Sequence, residues 1–247
     1  RQLPFVGREE ARDLLWSALS EVRWRDRPRA IVLRGPMGTG KSRLSQWFGE
    51  RAVEQGAAHF ALARHEEAPG PDRGLAGLVA HLAQASELDP DATRSRLVKV
   101  LSRDGPVEAE RIRALVECIH LGVEGKAMPG ARGRRSVVRW MLQRRASDRP
   151  VVVWLDDMHW GPESIELVRE HLEGAGRGAV LYVCTVTTEA LAERPGAAAA
   201  VDSLLGTAGC EEIEIGPLPP DDHARLVRSL LGFEGRLERQ VRERTLG

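Results

Sequence analysis

The segment from Gly35 to Ser42 constrains the fold more than any other part of the sequence. It reads G-P-M-G-T-G-K-S and completes the G-x-x-x-x-G-K-[S/T] pattern, whose backbone N–H groups surround phosphate oxygens. The apolar run 30–34 precedes it and a helical pattern begins near Lys41, so the positive end of a helix adds to the site. A glycine turn with an incidental lysine is the alternative. We disfavour it because only three of the 36 Lys and Arg residues are lysines, and one stands where the pattern requires it.

The residue types in this loop predict a nucleotide bound together with Mg²⁺. Lys41 is expected to reach the β- and γ-phosphates and to serve catalysis, while the Ser42 hydroxyl takes one position on the metal. No N-K-x-D guanine reader is evident, and we expect ATP or ADP rather than GTP partly because of the family resemblance described below. The residues expected to bind the nucleotide are Gly35, Pro36, Met37, Gly38, Thr39, Gly40, Lys41, Ser42 and Arg43.

Apolar runs separated by helical patterns predict an α/β fold. Strands alternating with helices indicate a parallel sheet with helices on both sides. The expected fold is a P-loop NTPase three-layer sandwich with a central parallel sheet, a helical insertion and the start of a small C-terminal helical subdomain. The predicted strands are 30–34, 58–63, 151–155, 179–186 and 212–215.

Two segments are expected to stand outside the sheet pattern. A helical insertion is predicted at about 66–149, since the amphipathic stretches there are interrupted by Pro and Gly. Within it, the Gly-rich linker 124–133 is predicted to be a mobile loop. The ATPase domain is assigned to 1–216, and 217–247 to a helical lid with one helix at 221–231 and another from Leu237. The amphipathic stretches are 74–86, 91–103 and 106–121.

Two acidic residues follow the clearest strand of the sequence. Asp156 and Asp157 come directly after V-V-V-W-L. Because the carboxyl ends of parallel strands face the ligand crevice, both should lie beside the phosphate loop. We assign Asp156 to Mg²⁺ and Asp157 to activation of the attacking water. A turn or helix-capping pair is the alternative, and it becomes unfavourable once the loop upstream is considered.

Two other polar features are interpreted as packing. His159 and Trp160 follow the aspartates, and we expect them to pack at the start of a helix rather than to take part in chemistry. The segment 132–145 is the most basic part of the chain, but its apolar residues predict a helix packed on the sheet with arginines in solvent. Direct nucleic-acid binding is therefore not expected.

The overall composition excludes several classes of protein. The net charge is +0, so no global field favours nucleic acid. Cys118, Cys184 and Cys210 lie far apart without C-x-x-C spacing, which indicates neither a zinc site nor a disulfide framework and fits a cytoplasmic protein. No secretory leader and no apolar run of membrane-spanning length is present. Because the sequence begins without Met and ends at Gly247 without a closing element, we expect a piece of a longer polypeptide.

Four motifs in order resemble the STAND class of AAA-type ATPases. They are P-F-V-G-R-E at 4–9, G-P-M-G-T-G-K-S at 35–42, L-D-D-M-H-W at 155–160 and I-G-P-L-P-P-D-D at 215–222. The resemblance covers nearly the whole chain. Such proteins act in signal transduction, in bacteria within large transcriptional regulators and kinase-fused proteins.

The resemblance implies a slowly hydrolysing molecular switch. ADP holds such proteins closed, while ATP supports an open state that assembles into a homo-oligomer, and the partners are flanking domains of the same polypeptide. By similarity, Val6, Gly7 and Arg8 would line the adenine side of the pocket. The alternative for Gly7 and Arg8 is an ordinary turn into the helix from Glu9 to Leu19.

The sequence departs from this class at two places. Such ATPases commonly have a polar sensor, often an arginine, after the strand that ends here at Val186, whereas this chain has C-T-V-T-T at 184–188. Thr185 or Thr187 could hydrogen-bond phosphate, but neither is charged, which argues against fast hydrolysis. The second departure concerns a proline, within a G-x-P element, that contacts the base in such ATPases. In this sequence the element would fall beyond Gly247.

Three rival functions use the same phosphate loop. A DNA-associated AAA ATPase should have a basic stripe or a winged helix, and neither is evident in this sequence. A small-molecule kinase would present a substrate pocket and a general base instead of a long helical insertion. A nucleotide-binding scaffold without turnover stays open because the sensor charge is missing.

Overall fold

The fold is described by a computed structural model for residues 5–67, 73–102, 105–120, 130–174 and 177–231. Within these residues the strands are β1 (Arg29–Gly35), β2 (His59–Arg64), β3 (Val151–Asp156), β4 (Val180–Thr187) and β5 (Cys210–Glu214). They form one sheet, in which all pairs are parallel and the order is β2-β3-β4-β1-β5. The predicted α/β class with a central parallel sheet is therefore confirmed.

Helices connect the strands and cover both faces of the sheet. They are α1 (Glu9–Arg25), α2 (Lys41–Glu54), α3 (Gly74–Ala83), α4 (Pro90–Leu101), α5 (Ala109–Ile119), α6 (Ala131–Arg145), α7 (Pro162–Glu173), α8 (Thr188–Glu193), α9 (Pro195–Leu205) and α10 (Pro220–Leu231). The helix α4 shows how local sequence sets a boundary. Asp89 caps it by accepting hydrogen bonds from the backbone N–H groups of Asp91 and Ala92, and Pro90 starts the first turn.

The central strands are buried on both faces. Every residue of β4 is buried, and in β3 only Asp156 at the carboxyl end is partly exposed. Alternate side chains of these strands enter two apolar clusters, one formed with residues of α1 and α2 and the other with residues of α3 to α9. The sheet is thus a rigid platform whose strands β1, β3 and β4 end side by side.

The helices α3 to α6 lie between β2 and β3 in the chain. Of the described residues between these strands, none is in a strand. Helix α3 packs along β2, and α5 contacts both α4 and α6. One detail differs from the sequence interpretation. Residues 131–133, predicted to belong to a loop, are helical, and the remaining predicted loop residues lie outside the described part of the chain except Gly130, the N-cap of α6.

The basic helix α6 also differs from its predicted environment. Its apolar face is buried as expected, but the helix packs mainly on α5 and α7 rather than on the sheet. Its arginines are not simply solvated: Arg134 forms a 3.0 Å ion pair with Glu163, and Arg135 a 2.7 Å ion pair with Glu170. Part of the local positive charge is therefore neutralised within the fold. In the described part of the chain, no helix is both long and apolar enough to cross a membrane.

Candidate functional site

The segment 35–42 forms a turn between β1 and α2, at the carboxyl edge of the sheet. Gly38 and Gly40 have φ angles of 79° and 90°, which side chains with a Cβ rarely adopt. Gly35 is required for a different reason, because a Cβ there would lie 2.1 Å from the backbone oxygen of Ile215. The glycines thus allow both the loop conformation and its close approach to the chain after β5.

Lys41 is the first residue of α2, and its ammonium lies inside the turn. The amine Nζ donates hydrogen bonds to the backbone oxygens of Gly35 at 2.8 Å and Pro36 at 2.7 Å. Burial lowers the pKa of Lys41, and the carboxylates of Asp157, Glu189 and Asp156 oppose this shift. A buried cation held by carbonyls is well placed to pair with an arriving anion.

A chain of hydrogen bonds joins the loop to the two aspartates. The Ser42 hydroxyl donates to Asp156 Oδ1 at 2.7 Å, although the residues are 114 positions apart in sequence. Thr185 in β4 donates its hydroxyl to the same oxygen at 2.8 Å and accepts the backbone N–H of Asp157 at 2.9 Å. Thr185 is therefore engaged with the aspartates, and the hydrogen bond to phosphate suggested for Thr185 or Thr187 stays a prediction.

Asp157 occupies the turn directly after β3. Its backbone is left-handed, with φ 50° and ψ 47°, a conformation that Asp and Asn tolerate better than most residues. Burial raises the pKa of the Asp157 carboxyl, the nearby Asp156 raises it further, and Lys41 lowers it. A carboxylate with a raised pKa is a better proton acceptor, which suits the role of orienting or deprotonating water.

The residues after Asp157 are buried or partly buried and contact neighbouring side chains. His159 is buried, and its pKa is lowered to about 4, first by burial and then by the charge of Arg194. The guanidinium of Arg194 lies 3.4 Å from the centroid of the Trp160 ring and also bonds to Glu67. This arrangement supports the interpretation of His159 and Trp160 as packing residues.

A cleft of about 580 Å³ opens beside the phosphate loop. Val6 and Arg8 line it, as the sequence suggested for the adenine side, whereas Gly7 is not among its lining residues. Gly7 has φ 72°, and a Cβ there would lie 2.5 Å from Asp222 Oδ2, so glycine is required for packing against α10. Arg8 donates hydrogen bonds to the backbone oxygens of Thr39, at 2.9 Å, and Gly216.

Helix α10 and the segment before it form the other wall of the cleft. Leu226 and Leu230 contribute apolar surface, and Leu230 is 47% exposed. Sequence reasoning did not assign these residues to the site. The available signal was the i, i+4 spacing of the two leucines on a helix whose polar face carries Asp221 and Asp222. The residues from this wall are Pro217, Leu218, His223, Leu226 and Leu230.

Known proteins share both the sequence pattern and the fold of this chain. A family model described as an AAA ATPase domain matches residues 4–186, most of the chain. The chain belongs to the AAA ATPase domain family. Membership of this family implies nucleotide binding. The family match does not by itself assign the chain to the STAND subclass. No curated protein sequence matches the chain.

Solved structures share the fold of this AAA ATPase domain at low sequence identity. Aeropyrum pernix ORC2 in its ADP form has a TM-score of 0.51 and 14% identity, with 92% of this chain and 53% of that chain covered. A structure of the E. coli MS115-1 HORMA:CdnC:Trip13 complex has a TM-score of 0.51 and 14% identity, with 97% of this chain and 73% of that chain covered. Cdc6p of Pyrobaculum aerophilum has a TM-score of 0.50 and 13% identity, with 93% of this chain and 50% of that chain covered. The AAA ATPase domain thus spans about half the length of the ORC2 and Cdc6p chains.

The residues of this AAA ATPase domain fit a magnesium nucleotide. Three glycines leave the loop open where Cβ atoms would strain or block it, and the buried ammonium of Lys41 offers an anion its partner. Hydroxyl and carboxylate oxygens, the ligand types that Mg²⁺ prefers, meet at Ser42 and Asp156. The cleft beyond the loop has a largely apolar wall, as planar bases require.

Proposed function

We propose that the chain is an ATP-binding, slowly hydrolysing signalling switch, a cytoplasmic module of a larger regulatory protein of the STAND type. The observation that carries the proposal is the hydrogen-bonded chain from Ser42 through Asp156 to Thr185, beside the buried Lys41. This chain joins the phosphate loop to the ends of β3 and β4. Nucleotide binding at the loop is thereby connected to the aspartates that hydrolysis would use.

The role of each residue follows from its position. The backbone of 35–42 binds the phosphates, and Lys41 neutralises the β/γ end. Ser42 and Asp156 would hold Mg²⁺, and the ion would supply positive charge to neutralise the phosphates. Asp157 orients and deprotonates the attacking water, and its raised pKa supports this role. Arg43 lies in the first turn of α2 and lines the cleft beside the loop.

The cleft provides the proposed connection to the rest of the switch. Val6 and Arg8 come from the segment before α1, and Leu226 comes from α10, so a base in the cleft would contact both ends of the described chain. In the proposed ADP-closed state, α10 acts as a lid at the start of the subdomain assigned to 217–247. The ATP-open state would separate this lid from the domain at 1–216 and allow assembly of a homo-oligomer.

The proposal is tested by the nucleotide that co-purifies with the protein and by its turnover. We expect retained ADP, and Mg²⁺-dependent phosphate release slower than about 1 s⁻¹, the low end of typical enzyme rates. Retained ADP with turnover that does not exceed a control without protein would favour a nucleotide-binding scaffold. Failure of the protein to bind either ADP or ATP would refute the proposal altogether.

A nucleotide-binding scaffold without turnover is the second candidate function, because of the residues at the end of β4 and the start of α8. Thr185 is engaged with the aspartates, and the first charged side chain of α8 is the acidic Glu189 rather than a cation. A DNA-associated ATPase finds less support in the geometry. The arginines of α6 that would form a basic surface include Arg134 and Arg135, which are paired with glutamates of α7.

Replacing Thr185 with valine should weaken the use of Mg²⁺. The variant keeps the shape of the buried side chain but removes the hydroxyl that orients Asp156 Oδ1 and accepts the Asp157 N–H. Removing such an outer partner of a metal ligand costs roughly tenfold or more in metal affinity or activity. We therefore expect about a tenfold rise in the Mg²⁺ concentration that gives half-maximal phosphate release.

Thr185→Ser is the matched control, because it retains the hydroxyl. It should remain close to the wild type in its Mg²⁺ requirement, and thermal melting should show that both variants are folded. Equal Mg²⁺ requirements for Thr185→Val and the wild type would show that this hydroxyl does not orient the metal ligand.

A further inference from the structure

Glu189 lies at the rim of the phosphate loop, although it is far from the loop in sequence. It belongs to α8, which follows β4 without a connecting loop. In the sheet, Thr187 at the end of β4 pairs with Gly35 at the start of the phosphate loop. This register places the first turn of α8 against the loop. Glu189 is therefore beside the loop because of strand order, which no local motif reveals.

The carboxylate of Glu189 already contacts a backbone group of the loop. Its Oε1 accepts a hydrogen bond from the backbone N–H of Met37 at 3.4 Å. It is also one of three carboxylates whose charge acts on Lys41. The negative charge therefore lies near both an amide of the loop and the ammonium that meets the β/γ end of a nucleotide.

A negative charge at this position affects two nucleotides differently. ATP and ADP share the α- and β-phosphates, but ATP brings additional negative charge to the end near Lys41. Like charges at contact range repel, and the repulsion grows as water is excluded. When a triphosphate binds, Glu189 must either release the Met37 amide or remain close to the added negative charge. A diphosphate brings less negative charge to this position, so its repulsion from Glu189 is smaller.

We propose that Glu189 is a specificity-determining residue that makes the phosphate loop favour a nucleoside diphosphate over a triphosphate. The inference rests on the proposed nucleotide-binding function and deepens it by assigning the preference to one side chain. Glu189 is exposed, so its effect is moderated by solvent and salt. It biases the equilibrium and does not exclude ATP.

The test compares the dissociation constants of ADP and ATP for the wild type and Glu189→Gln. The substitution removes the charge but preserves the shape of an exposed side chain, so folding should be unaffected. In Glu189→Gln we expect the ratio of the ATP dissociation constant to the ADP dissociation constant to be about fivefold lower than in the wild type. The change should come from tighter ATP binding, and its size is that of an exposed charge pair. Glu189→Ala should produce the same direction of change.

Glu193→Gln is the matched control, since Glu193 lies exposed on the same short helix. It should leave the ratio unchanged. The wild-type ratio should also fall as salt is raised from about 0.05 M to about 0.5 M, because screening shortens the reach of an exposed charge. In Glu189→Gln this dependence on salt should be smaller.

Different outcomes separate this inference from the proposed function. If the wild type binds both nucleotides and Glu189→Gln has the same ratio, the assignment to Glu189 is overturned and the nucleotide site stands. A ratio that changes only through weaker ADP binding also overturns it. If the wild type binds neither nucleotide, both proposals fall together.

Discussion

Lys41→Ala is expected to abolish measurable ATP binding at concentrations that saturate the wild type. The substitution removes the ammonium that the fold places inside the phosphate loop, where it contacts the backbone oxygens of Gly35 and Pro36. Truncating one partner of a buried charge pair costs about 3 kcal/mol or more, which is a loss of roughly 100-fold in affinity. Calorimetric titration with ATP and ADP measures the change, and both nucleotides should be affected because both place a β-phosphate at this end of the loop.

Lys99→Ala is the control for Lys41→Ala. Lys99 is an exposed residue of α4, so it reports the effect of losing a lysine without changing the loop. Thermal melting of the nucleotide-free proteins shows whether the loop variant is folded. Undiminished ATP binding by a folded Lys41→Ala protein would mean that the loop at 35–42 does not bind the phosphates.

The sequence predicts the turn at 35–42 between a strand and a helix because the determinants of this turn are local. Glycines at 35, 38 and 40, a strand before them and a helix after them are all contained in a short segment. The strand before Asp156 was equally clear, since V-V-V-W-L is buried on both faces and flanked by Pro150 and the two aspartates. Local chemistry is therefore sufficient to predict the α/β class and to bring Ser42 and Asp156 to the same edge of the sheet.

The partners of these residues could not be predicted because they depend on strand order. The sheet places β4 between β3 and β1, so Thr185 reaches Asp156 and Glu189 reaches the loop at Met37. A sequence of alternating strands and helices does not specify which strands are neighbours. The sequence alone therefore indicates neither the contact of Thr185 with Asp156 nor the position of Glu189 beside the loop.

The cleft was predicted from one side only, for a related reason. The segment containing Val6 and Arg8 carried a motif, whereas the opposite wall consists of ordinary leucines on α10. An amphipathic helix indicates that one face will be covered but does not identify what covers it. The arginines of α6 show the same limit, because their glutamate partners are on α7 and follow from helix packing alone.

Asp157→Asn is expected to retain ATP but lose phosphate release. The amide has nearly the same shape as the carboxylate, and Asn tolerates the left-handed backbone at this position as well as Asp does. The backbone N–H of Asp157 would keep its bond to Thr185, so the turn and the neighbouring Asp156 should remain in place. The substitution removes the capacity to accept a proton together with the negative charge. ATP affinity should therefore be unchanged or slightly higher, because a negative charge near the phosphates is lost.

The expected loss in the rate of phosphate release is about 100-fold or more, the usual contribution of a positioned general base. Single-turnover release of phosphate from bound ATP isolates this step from product release, and a parallel titration shows that ATP is still bound. Asp13→Asn, at an exposed position on α1, is the control for the same chemical change away from the site. If Asp157→Asn and the wild type release phosphate at equal rates, water activation must be assigned to another group, and the raised pKa of Asp157 would then reflect only its burial beside Asp156.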